Sequence, residues 1–348
     1  MEVMELIPVR QPINRAAMPL PLRSDIDMVQ DLDVLSEFQE ANVHSKQFIE
    51  SNTSDVTLNH LRNECVIPVF SKDNEVTISH VNFIETVFEA AAKVFPRERL
   101  SSPEIRVSHI IKGRTPEAIN KPVSELLDKD KTIYYERMAF VIEIPTIVED
   151  IQGNTLTLSI GGVRAYNHEN LYSKKTSEKF KVFIGFKNMV CCNMCISTDG
   201  YKEEVKAMST YELQQRVVQL FQLYNIQKHL SLMNSFKNYG LNEHQFAQLV
   251  GKAKLYQCLP PKERKQLPSL EFNDSHINII ARNYYKDEAF SRGSNHTINL
   301  WNVYNLFTGA NKNSYIDTFL NRSVNATDFI YGISEALQGN AGYRWFIE

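Results

Sequence analysis

The sequence lacks any apolar run long enough to cross a membrane. Its longest runs cover residues 66–70, which Pro68 interrupts, and 140–144, which contains Glu143. A membrane helix needs about 18 or more consecutive apolar residues. The first residues also lack the features of a signal peptide, since Glu2 stands where a basic region would lie and prolines break the stretch that follows. We therefore expect a cytoplasmic protein with no membrane partner.

Cysteine is scarce as well, with five residues in a chain of 348. Without an export signal we expect reduced thiols rather than disulfides. Cys191, Cys192 and Cys195 lie close together, which admits a zinc or redox interpretation. Zinc would need a fourth ligand, and a thioredoxin-like thiol lies at a helix N-terminus rather than in a segment with a strand pattern. Packing is the favoured role, so we predict no metal site and no cofactor.

Recognisable catalytic motifs are missing too. The sequence contains no Gly-x-Ser-x-Gly elbow, no His-Glu-x-x-His helix and no glycine-rich loop that ends in Lys-Ser or Lys-Thr. Glu136 and Arg137 place a carboxylate beside a guanidinium, for which a structural ion pair is favoured over catalysis. Catalytic residues therefore stay unassigned, and the sequence favours a protein without enzymatic activity.

The formal net charge of −3 conceals two regions of opposite sign. Residues 1–60 carry ten acidic and four basic side chains, a net −6, which leaves about +3 for the remainder. That remainder has two basic clusters, the first formed by Lys174, Lys175, Lys179, Lys181 and Lys187, and the second by Lys252, Lys254, Lys262, Arg264 and Lys265. A balance of this size neither requires nor excludes a polyanionic partner.

The pattern of apolar residues divides the chain into three stretches. Residues 1–55 are predicted to form an acidic, proline-containing appendage, partly disordered. From 56 to 200 the period is two, with one helix that ends before Pro96. The predicted strands cover 65–70, 75–80, 104–111, 132–148, 154–160 and 180–186. This alternation, with short loops between the strands, predicts a largely antiparallel sheet.

From 201 to 348 the apolar period becomes helical. Ser209 and Glu212 fit a capping box, and Gly240 is predicted to end the helical stretch that follows. The other predicted helices cover 242–259, 274–286, 298–308 and 326–338. Strands followed by a run of helices that pack on them predict an α+β fold. Whether 56–200 and 201–348 form one domain or two is left open.

The first candidate site is the strand over 180–187. Lys181, Phe183 and Lys187 alternate with its apolar residues and so share its opposite face. Basic side chains around an exposed aromatic ring are typical of single-stranded nucleic-acid binding, in which phosphates are neutralised and a base stacks. The alternative is a solvated face that carries one aromatic at its edge.

Further basic residues would complete the nucleic-acid contacts. Lys262, Arg264 and Lys265 follow a predicted helix end, where cations also simply complement the helix dipole. Arg164 would supply another phosphate contact. With the residues of the strand over 180–187, these are the predicted nucleic-acid-binding residues.

The second candidate site is the segment 161–168. Gly161 and Gly162 follow a predicted strand, where glycine allows positive φ and close approach to a ligand. The polar residues that would converge on that ligand are Arg164, Tyr166, His168 and Glu136. They offer a phosphate contact, a stacking ring and titratable groups. The alternative is a glycine bulge whose neighbours cap a sheet edge.

Two short signatures support a resemblance to a known family. Trp301, Asn305 and Thr308 share one face of a predicted helix, where a buried polar network is the favoured interpretation. They fit a Trp-x-x-x-Asn-x-x-Thr signature, and 190–193 fits Val-Cys-x-Asn. With Glu136-Arg137 and Gly161-Gly162-Val163-Arg164, they resemble uncharacterised bacterial phage- and plasmid-associated proteins. The resemblance is to the domain of unknown function 3871 family and, more distantly, to the 932 family.

This resemblance covers roughly residues 60–340 and lends no reaction, but it implies a mobile-element setting with nucleic acid nearby. The leading hypothesis is a non-catalytic nucleic-acid-associated protein of a bacterial mobile element, acting in replication, recombination or maintenance. Single-stranded nucleic acid would be its partner. One alternative is an enzyme or small-ligand-binding protein that uses 161–168. The other is an interaction protein that inhibits a host protein.

The acidic segment 25–55 adds a regulatory hypothesis. It carries eight carboxylates against one lysine, Lys46. If it folded back on a basic groove, it would compete with nucleic acid, since a tether raises its effective concentration. A solvated acidic leader with no partner is the favoured alternative.

Overall fold

The N-terminal half of the chain builds an antiparallel sheet, as the alternating apolar pattern predicts. The computed structural model describes residues 47–66, 77–118, 120–166 and 177–348. The strands in these ranges are β1 (Ser54–Asp55), β2 (Glu104–Val107), β3 (Ile110–Arg114), β4 (Lys131–Tyr135), β5 (Arg137–Ile151), β6 (Asn154–Ala165), β7 (Glu178–Asn188), β8 (Met194–Cys195), β9 (Tyr201–Ala207), β10 (Gly240–Asn242) and β11 (Thr297–Asn299). The main sheet has the order β1-β2-β5-β6-β7-β8, and β9 also pairs with β7. Strands β3 and β4, and β10 and β11, form two small separate sheets.

Helices dominate the C-terminal half. The helices in the described ranges are α1 (Leu58–Asn63), α2 (His80–Val94), α3 (Thr210–Leu223), α4 (Ile226–Ser235), α5 (Glu243–Cys258), α6 (Pro261–Arg264), α7 (Asp274–Lys286), α8 (Leu300–Asn311) and α9 (Ile316–Leu337). The bounds of α7 are those predicted, while α9 begins ten residues earlier than the predicted 326–338. None of these helices is both long and apolar enough to cross a membrane. The fold class is α+β, which confirms the prediction.

Two helix-end predictions had different outcomes. The Ser209 side chain accepts a hydrogen bond from the Glu212 N–H and caps α3, as predicted, although the Glu212 carboxylate accepts from Met208 N–H. The prediction that Gly240 ends the following helical stretch is wrong. The chain leaves the helix at Tyr224, Asn225 caps α4, and Gly240 begins strand β10.

Two of the predicted strands are each divided between two sheets. The stretch 104–111 forms β2 and β3, and 132–148 falls in β4 and β5. The pairs β2–β5 and β3–β4 belong to different sheets. At the crossing point Ser108 N donates to Arg137 O at 3.0 Å, and Arg137 N donates to Ser108 Oγ at 3.0 Å. These two hydrogen bonds join the chain segments at the point where both pass from one sheet to the other. The apolar alternation of the sequence continues through this point without a break.

Both faces of the main sheet are buried. On the first face, Phe83 of α2 contacts Phe140 and Phe180, with ring centroids 5.2 and 4.8 Å apart. On the second face, Val141, Val163 and Phe183 form a cluster with the N-terminal turns of α9. A sheet covered on both sides has an apolar residue at nearly every position, so alternation along its strands no longer separates buried from exposed side chains.

The residues before the sheet belong to this body. Phe48 and Ile49 are buried, and the Phe48 ring lies 5.9 Å from that of Phe319 in α9. Phe48 and Ile49 therefore pack with the main sheet and α9, although they lie within the stretch 1–55 that is predicted as an appendage. The predicted hairpin over 65–80 lies mostly in 67–76, outside the described residues, as does the acidic segment before 47.

Candidate functional site

The three predicted contacts on β7 share one face, but that face is covered. Phe183 is 1% exposed and packs in the cluster beneath α9. The expectation of an exposed aromatic ring is wrong, because α9 and residues 48–49 cover the second face of the sheet. The ring of Phe183 offers no free face to a nucleic-acid base in this fold.

Lys187 is buried in an ion cluster. It is 5% exposed, and its Nζ lies 2.6 Å from Glu104 Oε2 and 2.9 Å from Glu143 Oε1. Burial alone would lower the pKa of Lys187, but the two carboxylates outweigh burial and raise that pKa above its usual range. The lysine charge is more than compensated inside the protein. A phosphate would have to displace two carboxylates to reach it.

Lys181 is tied to α9. Its Nζ donates to Asp317 O at 2.8 Å and to Asn321 Oδ1 at 2.5 Å, and Tyr201 OH donates to the same amide oxygen at 2.9 Å. Burial lowers the pKa of Lys181, while nearby carboxylates, Glu203 first, act in the opposite direction. This lysine fastens the helix to the sheet rather than projecting from it.

Arg164 belongs to both candidate sites and is 0% exposed. Its guanidinium lies between the rings of Tyr166 and Phe180, at 4.6 and 4.4 Å from their centroids. It also donates to Ile78 O and to the Glu178 carboxylate. Glu178 in turn accepts from Ile78 N at 3.0 Å. Arg164 therefore anchors the approach to α2 on the sheet, and a phosphate cannot reach it without opening this core.

The glycine pair lies inside a strand rather than after one. Gly161 and Gly162 belong to β6, which continues to Ala165, and both pair with neighbouring strands on each side. A Cβ on Gly162 would lie 2.5 Å from the Phe83 ring, and one on Gly161 would lie 2.0 Å from Phe140 O. The prediction that this pair follows a strand is wrong, because both glycines lie inside β6, where Gly161 packs against β5 and Gly162 against α2.

The other residues of that second candidate site do not all converge. Tyr166 is buried beside Arg164, with its ring 4.6 Å from that of His80. Burial, the largest influence, lowers the pKa of His80 to about 3. The Glu136 carboxylate lies 3.6 Å from Arg137 Nε and 3.9 Å from His109 Nε2. His168 lies outside the described residues.

The two short signatures meet in a buried amide network. Asn193 Nδ2 donates to Asn305 O at 3.0 Å, and Asn188 Nδ2 donates to Asn305 Oδ1 at 3.3 Å. Asn305 Nδ2 donates to Trp301 O at 2.9 Å, and Thr308 Oγ1 donates to Tyr304 O at 3.0 Å. The buried polar network predicted for this helix face is confirmed, and it also joins α8 to the turn after β7.

Burial determines the acidity of two of the neighbouring thiols. Cys195 is buried, which raises its pKa to about 12, and burial also raises the pKa of the half-buried Cys192. A thiol with a raised pKa is a poor nucleophile near neutral pH. Among the residues that the structure describes, no group of three or more His, Cys, Asp or Glu side chains could hold a metal ion.

Three residues of the second basic cluster are exposed, whereas Lys181 and Lys187 of the first are not. Pro260 and Pro261 end α5 and begin α6, which carries Lys262, Arg264 and, just beyond it, Lys265 at the surface. The Arg264 guanidinium donates to Gln257 O at 2.6 Å, so α6 folds back over the end of α5. Within the described ranges, neither Lys262 nor Lys265 forms an ion pair. Their charges are open to an external anion.

An aromatic ring that no sequence pattern indicates completes this surface. Lys252 Nζ lies 4.7 Å from the ring centroid of Trp345. Trp345 contacts Phe346, Phe346 contacts Tyr256, and Arg264 lies 5.6 Å from the Tyr256 ring, so the contacts are continuous. We call Lys252, Lys262, Arg264, Lys265 and Trp345 the α5–α6 surface. No spacing connects Trp345 with Lys252, because only the tertiary fold brings them together.

Not every basic residue nearby belongs to this surface. Lys254 Nζ lies 3.4 Å from Asp274 Oδ1 and donates to Asn278 Oδ1 at 2.6 Å, which directs it toward α7. Glu263 is the acidic residue within α6. The α5–α6 surface carries four basic side chains beside Glu263, and the Glu348 carboxylate after Trp345 pairs with Arg344, so the net charge of the surface is positive.

Comparison with known proteins identifies a family without a known reaction. The chain matches no curated protein and no solved structure. Residues 29–347 match the model of a family described as "Domain of unknown function, B. Theta Gene description (DUF3871)". This match extends over nearly the whole chain, including the sheet, the helices and the α5–α6 surface. The chain therefore belongs to the DUF3871 family.

Proposed function

We propose that this protein is a non-catalytic nucleic-acid-associated protein that contacts phosphates through the α5–α6 surface. The observation that carries the proposal is the exposure of Lys262 and Lys265 without an ion pair in the described part of the chain. A mobile-element setting, with a part in replication, recombination or maintenance, belongs to the same proposal.

The physical argument concerns which cations are free to bind. A phosphate gains most from a cation that it does not have to detach from an internal carboxylate. Lys187 and Arg164 fail this condition, since both are buried with acidic partners. The phosphate contacts of this proposal therefore lie on α6 and at Lys265 just beyond it, and they leave out the strand over 180–187.

Salt dependence provides the test. We would measure binding of a fluorescent single-stranded 30-mer and its duplex at about 50 and 200 mM salt, with the full chain and with a Lys262→Ala/Lys265→Ala double variant. Each phosphate contact contributes roughly 0.7–0.9 to the slope of log affinity against log salt. The double variant is expected to lower that slope by about 1.5 and to weaken binding to both nucleic acids.

The matched control is Lys202→Ala/Lys228→Ala, which removes the same charge from exposed positions on β9 and α4. This control variant should bind both nucleic acids more tightly than the Lys262→Ala/Lys265→Ala variant does. Equal losses in the two variants would reduce the effect to net charge and overturn the assignment of the site. Absence of binding to either nucleic acid at low salt would overturn the proposed function. A host protein that is still captured in a pull-down after nuclease treatment would then favour the interaction-protein hypothesis.

A further inference from the structure

We propose that Trp345 is a base-stacking platform and that the α5–α6 surface consequently prefers single-stranded nucleic acid to duplex. This inference rests on the proposed function, which requires only phosphate contacts. It adds a specific residue and a specific form of the ligand.

The Trp345 ring is partly exposed, and it packs against the buried ring of Phe346. Its centroid lies 5.0 Å from that of Phe346 at an interplanar angle of 87°, so the edge of one ring meets the face of the other. Phe346 is 0% exposed and packs edge-on against Phe329 of α9 at 4.9 Å. A ring fixed in this way loses little freedom when a ligand stacks on it.

The cation beside Trp345 is available to a nucleic acid. Lys252 Nζ approaches the ring at 4.7 Å, and Lys252 forms no ion pair within the described ranges. An unstacked base can stack on the indole face that the Lys252 ammonium approaches, and the displaced ammonium can then contact the adjacent phosphate. Ring and cation together match one nucleotide, with its base on Trp345 and its phosphate on Lys252.

The exposed ring of Tyr285 also lies beside a cation but lacks this combination. Tyr285 has Arg292 at 4.8 Å, but Arg292 Nη1 lies 3.1 Å from the Glu243 carboxylate. Tyr285 OH also donates to Glu243 at 3.0 Å. A phosphate there would meet a cation already paired with an anion, whereas the half-buried Lys252 beside Trp345 forms no ion pair in the described ranges.

The preference for single strands follows from access to the base. In a duplex the base faces are stacked inside the helix, and exposing one requires unstacking and unpairing. A single strand presents a base at much smaller cost. Duplex binding would therefore use the phosphate contacts alone.

Intrinsic fluorescence tests this directly, because the chain has two tryptophans and Trp301 is 0% exposed. We would titrate the full chain with unlabelled oligothymidine and with a matched duplex. The single strand is expected to quench the Trp345 emission, and the duplex is not. Trp345→Ala should abolish the quenching, weaken single-strand binding about ten-fold and leave duplex binding within two-fold.

The remaining Trp301 emission reports whether Trp345→Ala is folded. Trp345→Phe, which keeps an aromatic ring at this position, is a second variant with less risk to packing and should lose less affinity than the alanine variant. Single-strand binding without quenching, or an equal loss for strand and duplex in Trp345→Ala, would overturn the stacking inference and leave the phosphate-binding proposal standing. No binding of either nucleic acid would overturn both.

Discussion

The face of β7 that carries Lys181, Phe183 and Lys187 and the α5–α6 surface have similar compositions but differ in their exposure to solvent. Each combines lysines with an aromatic ring, yet Phe183 and Lys187 are buried while Lys262 and Lys265 are exposed. The difference comes from what the rest of the chain supplies. Glu104, Glu143 and α9 reach the β7 face, and no carboxylate in the described ranges pairs with the exposed lysines. A pattern of basic and aromatic residues therefore identifies a candidate site. The contacts that these residues make in the folded chain decide whether the site is accessible to a ligand.

The largest expected effect tests the buried ring of this comparison. Phe183→Ala should lower the free energy of unfolding by about 3–5 kcal/mol, because it removes a fully buried aromatic side chain and leaves a cavity. Urea unfolding followed by circular dichroism measures this change. Tyr211→Ala is the control, since Tyr211 is 72% exposed and its loss should change stability by only about 0.5 kcal/mol. Similar stability for both variants would show that Phe183 is not core.

An intermediate effect is expected at the lysines. Lys187→Ala leaves two carboxylates, Glu104 and Glu143, facing each other without their cation, and should destabilise the protein by about 3 kcal/mol. Lys262→Ala should change the free energy of unfolding by less than about 0.5 kcal/mol. The same denaturation experiment reports both. A Lys187 variant as stable as the Lys262 variant would contradict the buried ion cluster.

The smallest effect concerns glycine. Gly251 lies within α5, and a Cβ there would meet nothing within 4 Å. Gly251→Ala should stabilise the protein by about 0.5–1 kcal/mol, since alanine restricts the unfolded chain and favours the helix. Gly162→Ala should instead destabilise it, because the added Cβ would lie 2.5 Å from the Phe83 ring. Thermal unfolding of the two variants in parallel distinguishes packing glycines from permissive ones; stabilisation by both would refute the packing role of Gly162.

Local pattern was sufficient for the elements with strong end signals. The bounds of α7 follow from its apolar period, and Ser209 marks the start of α3. The division of 104–111 between two sheets was beyond sequence reasoning, because the alternation continues through Ser108. A period of two assigns side chains to faces, but it does not say that a helix covers the second face.

The candidate site likewise contains residues that local sequence indicates and residues that only the tertiary fold reveals. Lys262, Arg264 and Lys265 were found from their spacing after a helix end, and they are exposed. Trp345 was missed because its partner Lys252 is distant in the sequence. Arg164 was misplaced because nothing local indicated that Glu178 and two aromatic rings would enclose it. Exposure is a property of the assembled fold, so the sequence alone identified charges but not their availability.

The covering of the second sheet face by α9 has a consequence for synthesis. Strands β2 to β9 leave the ribosome before α9, the last long helix in the described ranges, so residues 48–49 alone precede the strands in the cluster over Val141, Val163 and Phe183, which stays incomplete until residues 316–337 follow. A nascent chain with such an uncovered apolar sheet is a target for aggregation and for chaperones. A polypeptide truncated before α9 would share this vulnerability permanently. The synthesis of α9 therefore sets the time at which the second face of the sheet is covered and the risk of aggregation falls.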